Sequence, residues 1–182
     1  MRLIILDLEF ENQTQLDLIQ VGAVKVDLLR RTIEPFFSEF IALPDGVELS
    51  PYIENLTGIT PQQVGQARGG KKVLRQFWDL FANASVSGRL AGWGDDAEWL
   101  IQESQRYNVP VPRNVQCMDL KQMFQFFRFQ NGISTRKKTG LMGTLDAFGL
   151  EFEGRHHNGY DDAYNTARLL MEAVRNPENP DQ

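Results

Sequence analysis

The chain has 182 residues, 42% of them hydrophobic and 24% charged, with a formal net charge of −5. That length suits one domain with a proper core over 1–176, followed by a polar tail at 177–182. The acidic balance argues against broad, non-specific coating of nucleic acid, and no apolar run is long enough to span a membrane. The single cysteine, Cys117, rules out an internal disulfide and suits a reducing compartment. Asp7 and Glu9 interrupt the apolar N-terminus that a signal peptide would need, so the expected location is the cytoplasm.

The first predicted element is a strand over Arg2–Phe10. Its aliphatic run, Leu3 to Leu6, reads as buried on both faces, as in the centre of a sheet. Side chains alternate along a strand, so Asp7 and Glu9 project to one side at its end. Glu11 to Gln15 is polar and reads as a hairpin turn. Leu18–Val26 alternates as a second strand, antiparallel to the first, and Ile33–Ile41 as a third, with Pro35 suggesting a sheet edge. Ser50-Pro51 and Thr60-Pro61 each carry a helix-start signal, the first helix stopping at Gly58. Gly65–Gly70 reads as a loop, Val73–Ala82 as an amphipathic helix and Val86–Ala91 as a short strand broken by Gly88. A helix capped by Asp95 or Asp96 runs to about Tyr107, where Pro110 and Pro112 follow. Val115–Met118 is a fifth strand, Asp119–Phe129 a helix, Asn131–Gly140 a basic loop, Leu141–Phe148 a short helix, and Tyr160–Val174 the last helix. A meander followed by alternating helices and strands predicts an α/β sandwich with a mixed five-stranded sheet, in which ligands collect at strand ends.

Three stretches carry chemistry. Asp7 and Glu9 end a buried strand, where carboxylates are costly unless neutralised; a salt-bridged strand end is the purely structural alternative. In Trp93-Gly94-Asp95-Asp96-Ala97-Glu98-Trp99-Leu100 either aspartate suits a helix start. Asp96 shares a stripe with Leu100 and Glu103, whereas Asp95 shares the wetter one with Trp99, Gln102 and Arg106, so Asp96 is the better interior candidate. In His156-His157-Asn158-Gly159-Tyr160-Asp161-Asp162 two His–Asp pairs have equal spacing. Asp161 aligns with Asn165, Arg168 and Glu172, a stripe expected to face water, and is assigned as cap or solvated partner. Asp162 aligns with Thr166, Leu169 and Ala173 and should face the protein, with His157 as its partner. The set Asp7, Glu9, Asp96, Asp162 and His157 fits two Mg²⁺ or Mn²⁺ ions about 3.5–4 Å apart. Histidine can take a proton from water at neutral pH.

These blocks resemble the DEDDh 3′-to-5′ exonucleases, which have a ribonuclease-H-like fold. The blocks are Leu6-Asp7-Leu8-Glu9-Phe10, Asp96-Ala97-Glu98-Trp99-Leu100, and His157 through Asp162. Leu56-Thr57-Gly58-Ile59-Thr60, Trp93-Gly94-Asp95-Asp96 and the long Gly154–Arg168 stretch look most like the Eri-type branch, which includes histone-mRNA exonuclease and KapD-like proteins. The resemblance spans nearly the whole chain. It implies a three-layer sandwich, metal ligands at Asp7, Glu9, Asp96 and Asp162, and His157 as general base. Relatives often have one more residue before the second-block aspartate, which leaves Asp95 as the alternative to Asp96; the leucine four residues after Asp96 favours Asp96. Leu8, Phe10, Leu56, Thr57 and Ile59 would lie near the terminal nucleotide, and Phe10, Leu56 and Trp93 could stack on bases or belong to the core. Arg136-Lys137-Lys138 would contact phosphates. The implied reaction is hydrolysis of single-stranded RNA from its 3′ end to nucleoside 5′-monophosphates. The alternatives are a DNA exonuclease of repair or proofreading and, further off, an inactive nucleic-acid-binding module. Membrane partners are not expected, and a homodimer is compatible with the sequence without being demanded by it.

Overall fold

The computed structural model describes residues 1–11, 17–130 and 140–174. The hairpin turn expected after Glu11, the basic loop holding Arg136, Lys137 and Lys138, and the tail at 177–182 lie outside the described residues.

The chain opens with the expected meander: β1 (Arg2–Phe10), β2 (Leu18–Asp27) and β3 (Thr32–Ala42). Both pairings are antiparallel, with Asp7 opposite Gly22 and Glu9 opposite Gln20. Pro35 faces Val24 beside a register shift in the β2–β3 ladder, where its missing N–H is tolerated. Two short helices follow, α1 (Pro51–Thr57) and α2 (Pro61–Gln66). Ser50 caps the first and Thr60 closes a capping box with Gln63 on the second, each with proline in the first turn.

The expected loop at Gly65–Gly70 instead contains β4 (Arg68–Gly69), which pairs in parallel with the end of β3. Two residues are too few for alternation to register, so this strand leaves no periodic signal. The remaining elements are α3 (Gly70–Asn83), β5 (Arg89–Gly92), α4 (Asp96–Arg106), β6 (Gln116–Asp119), α5 (Leu120–Gln130), α6 (Leu141–Ala147) and α7 (Gly159–Ala173). β5 begins at Arg89 rather than Val86 because Gly88 is left-handed (φ 77°) and closes a turn. The described sheet therefore has six strands, ordered β4-β3-β2-β1-β5-β6, where the sequence predicted five. β1 sits inside it, antiparallel to β2 and parallel to β5.

Alternation along β1 builds the two cores. Ile4, Leu6, Leu8 and Phe10 face one side, with Phe77, Trp78 and Phe81 of α3 and Leu100 of α4. Leu3 and Ile5 face the other, with Phe124 of α5, Leu145 of α6 and Leu170 of α7. All four residues of Leu3–Leu6 are fully buried, as a central strand requires. Helices thus cover both faces of a mixed sheet: the α/β sandwich predicted from the element order, in the three layers that the resemblance implies.

Candidate active site

The odd-numbered face of β1 carries Leu3 and Ile5 into the core and then delivers Asp7 and Glu9 at the strand's end. Asp162 joins them from the first turn of α7, and ligand oxygens of these three residues lie within 4.8 Å of one another. The approach depends on two glycines. A Cβ on Gly22 would come within 2.0 Å of the Tyr160 amide nitrogen, and one on Gly159 would meet the Asp7 carbonyl oxygen at 3.0 Å. The N-terminus of α7 therefore lies directly on the β1–β2 ladder. Gln20 anchors it there, its Oε1 accepting the Gly159 N–H at 2.9 Å.

Asp96 reaches the same end of β1 from α4. Its carboxylate accepts the backbone N–H of Leu8, the residue between Asp7 and Glu9. Asp95 is the exposed N-cap residue and makes no capping hydrogen bond, whereas Asp96, Leu100 and Glu103 are buried on one stripe as the periodicity predicts. Glu11 turns away, accepting the Ser50 N–H at 2.9 Å.

The electrostatics are those of an unneutralised carboxylate cluster. Burial first, then the charges of Asp96, Asp162 and Glu9, holds the Asp7 carboxyl well above its ordinary range. Burial, then Asp162 and Asp96, pushes Glu9 up to about 8. Burial likewise pushes Asp96 up to about 7 against its two backbone hydrogen bonds. Asp162 is also raised by burial, partly offset by His156. The charges that act on Asp7 and Glu9 are all carboxylates. A buried oxygen of Asp162, Oδ2, has no hydrogen-bond partner. Clustered hard oxygen donors with an orphaned lone pair fit a divalent metal ion better than a protein cation.

The histidines differ from their expected arrangement. His156, not His157, pairs with Asp162: its Nδ1 lies 2.8 Å from Oδ1. His157 offers Asp162 its backbone N–H, and its ring stacks on His156 with centroids 4.0 Å apart. The reason is local. His157 has a left-handed backbone (φ 64°), which reverses the chain and removes any helical register between it and Asp162. Desolvation, then His156, lowers the His157 pKa, so its imidazole is neutral at pH 7.

The Asp161 stripe also departs from expectation. Asn158, not Asp161, caps α7 by accepting the N–H groups of Tyr160 and Asp161. Asp161 accepts the Arg155 N–H at 2.8 Å. Asn165, expected to face water, is fully buried and bonds to both the N–H and the C=O of Glu153. The segment before α7 has no ladder of its own, so its backbone groups take partners from this polar stripe.

Four of the six expected nucleotide contacts have side chains inside the fold. Leu8 and Phe10 belong to the core on the α3–α4 side, and the Phe10 ring is edge-on to Trp99 at 5.5 Å. Thr57 and Ile59 are buried too, the Thr57 hydroxyl donating to Ile53 C=O at 2.8 Å and accepting the Ile59 N–H at 3.1 Å. Of these four only Phe10 is expected from the sequence to stack on a base, and its ring, inside the core, offers no open face for that. Leu56 and Trp93 are half-buried; the Trp93 ring packs 5.7 Å from Phe124. The sequence reading missed Gln20, Gly22 and Asn158 as supports. Only the Asn158-Gly159 start of α7 left a readable trace, because asparagine is a strong cap.

A central strand that ends in clustered carboxylates, covered by a helix bearing another, is an arrangement able to hold divalent metal ions. Comparison with known proteins agrees. ERI1 exoribonuclease 2 of Danio rerio is 29% identical over 176 residues, covering 85% of this chain and 31% of the relative. The solved nuclease domain of 3′hExo, a DEDDh family member bound to rAMP, superposes with a TM-score of 0.80 at 22% identity, covering 95% of this chain and 91% of that one. E. coli exonuclease I in complex with a dT13 oligonucleotide gives 0.73 at 19% identity, covering 98% of this chain and 42% of that one. The chain spans roughly a quarter to a third of the first curated relatives it matches. The Exonuclease (RNase T) family model matches residues 4–170, and the chain belongs to that family.

Proposed function

We propose that this chain is a metal-dependent 3′-to-5′ exoribonuclease, one domain over 1–176, that trims single strands to nucleoside 5′-monophosphates in the cytoplasm. The observation that carries the reading is the Asp7–Glu9–Asp162 cluster within 4.8 Å, with Asp96 tied to the same strand end. The names of its relatives favour RNA, among them an exoribonuclease and a nuclease domain bound to rAMP. The likeness to exonuclease I with its dT13 strand keeps DNA as the second reading.

Asp7, Glu9, Asp96 and Asp162 would hold Mg²⁺ or Mn²⁺, two ions per site. Such ions, when bound, supply an activated water and neutralise charge on the attacked phosphate. The rest falls to the chain. His156 fixes Asp162 through Nδ1, which orients that carboxylate. Among the described residues no carboxylate bonds to the His157 ring, and its lowered pKa favours a neutral imidazole that can take the proton of the attacking water. Leu56 and Trp93, both half-buried, would meet the terminal base, and Arg136, Lys137 and Lys138 the phosphates upstream. All four carboxylates come from one chain, so a homodimer is not needed to complete the site.

The test is a pair of 5′-labelled single strands of one sequence, RNA and DNA, incubated with Mg²⁺, Mn²⁺ or EDTA. The expected result is a ladder shortening from the 3′ end, faster on RNA and abolished by EDTA. Internal cuts as the first products would defeat the exonuclease reading. Faster shortening of DNA would move the assignment to the second one.

A further inference from the structure

We infer that Arg155 is a positioning residue: its guanidinium latches the loop bearing His156 and His157 onto the C-terminal end of α1, and so fixes where His157 sits relative to the carboxylates. The inference rests on the proposed role of His157 as general base.

The loop before α7 needs holding. It has two left-handed residues, Gly154 (φ 88°) and His157 (φ 64°). Glycine adopts this conformation freely, whereas a histidine there is strained and is held by its surroundings. The bonds already described tie this segment to α7 and to Gln20, and two more are local: Arg155 N–H donates to Asp161 Oδ2 at 2.8 Å, and Asn158 N–H donates to Arg155 C=O at 3.2 Å. The local pair shapes the turn without saying where it lies over the site. One further bond ties the loop to α1. Arg155 Nη2 donates to Asn55 C=O at 3.1 Å, 100 positions away in sequence.

The receiving end is built for it. Asn55 C=O belongs to the last turn of α1, whose carbonyls have no helical partner and favour a cation. α1 has no basic residue in that turn, so Arg155 supplies the charge from another element. Gly58 ends α1 in the left-handed conformation (φ 74°), and a Cβ there would fall 2.2 Å from the guanidinium carbon. Gly58 is therefore both the helix cap and the bed on which the guanidinium lies. The latched turn of α1 carries Leu56, proposed to meet the terminal base. Arg155 thus joins the base-contacting side of the site to its proton acceptor. Arg155 is exposed, so its loss leaves the core untouched.

The experiment is steady-state kinetics on a 5′-labelled RNA strand with Mn²⁺. Arg155→Ala should lower kcat at least about tenfold, since small displacements of a catalytic group are amplified in rate, while KM moves less than about threefold. Arg155→Lys should recover part of the loss, because an ammonium can still donate to Asn55 C=O but cannot lie flat on Gly58. Gly58→Ala should lower kcat alone and add little in the Arg155→Ala background, since both changes break one latch. Unchanged kcat in Arg155→Ala overturns the latch, and so does a rise in KM with kcat intact, which would make Arg155 a strand contact. Full activity in His157→Ala would overturn the base assignment itself, which separates that failure from failure of the latch.

Discussion

Asp162 has two neighbours of the same residue type with opposite tasks. His156 holds one of its oxygens from the side, while the His157 ring bonds to no carboxylate among the described residues and His157 gives Asp162 its backbone N–H. A group fastened by a hydrogen bond to a ligand tunes that ligand, whereas a neutral, unfastened imidazole can accept a proton. The two substitutions should therefore fail differently. His157→Ala should lower kcat about 100-fold or more while leaving Mn²⁺-induced thermal stabilisation as in the parent. His156→Ala should weaken the apparent Mn²⁺ affinity about 10- to 100-fold, read from thermal shift across a metal titration. Equal loss of metal response in both would merge the roles. The aspartates divide in the same way: Asp96→Asn should nearly abolish activity, and Asp95→Asn, at an exposed position, should leave kcat within about threefold. Helical periodicity separates Asp95 from Asp96 in the sequence because both sit at the start of a regular helix. It cannot separate His156 from His157, because those lie in a turn whose left-handed residue no periodicity encodes.

The element that completes the site is α7, and its seat is legible only in part. Apolar spacing predicts the helix and the inward face of Asp162, but the close seat on the sheet depends on Gly22, which in the sequence is one more residue of an alternating strand. Its meaning is spatial: any side chain there strikes the backbone of Gly159 and Tyr160. Gly22→Ala should therefore destabilise the fold by about 1–3 kcal/mol and lower activity further than stability alone explains, since it lifts Asp162 away from Asp7 and Glu9. Thermal unfolding alongside kcat at a temperature where the variant is folded checks this; a lost Tm with full activity would detach α7's seating from the chemistry. The same limit explains the Asn165 stripe. A polar stripe predicts water, but here it meets an extended segment whose backbone needs partners, and a buried asparagine serves that need better than solvent. Strands long enough to alternate were readable, and the two-residue β4 was not.

Across the whole molecule the carboxylate cluster is a standing electrostatic strain. The chain is acidic overall at −5, and the Asp7, Glu9 and Asp162 carboxylates gather at the end of a strand whose Leu3–Leu6 run is fully buried. The sign of the consequence follows from the shifts. Glu9 rises from 4.5 to about 8 and Asp96 from 3.8 to about 7, so their folded pKa values lie above their unfolded ones. Below about pH 3, under the unfolded values of both groups, both states are protonated and the shifts cost nothing. As pH climbs from about 4.5 to 8 the unfolded chain gives up these protons first, binds fewer than the folded chain, and is favoured. Stability of the metal-free protein should therefore fall through this window, with a Tm at pH 8 roughly 5 °C or more below that at pH 5.5. A divalent ion reverses the trend, because it binds the ionised carboxylates of the folded state alone. At 100 times its dissociation constant it should add about 2.7 kcal/mol at pH 8, roughly 5–10 °C, and much less at pH 5.5, where protons compete for the same oxygens. Thermal unfolding in EDTA and in Mn²⁺ at the two pH values measures all four corners. A Tm that is flat with pH in EDTA, or a metal effect as large at pH 5.5 as at pH 8, would show that these carboxylates are neutralised from within the protein and leave the proposed two-ion site without its electrostatic basis.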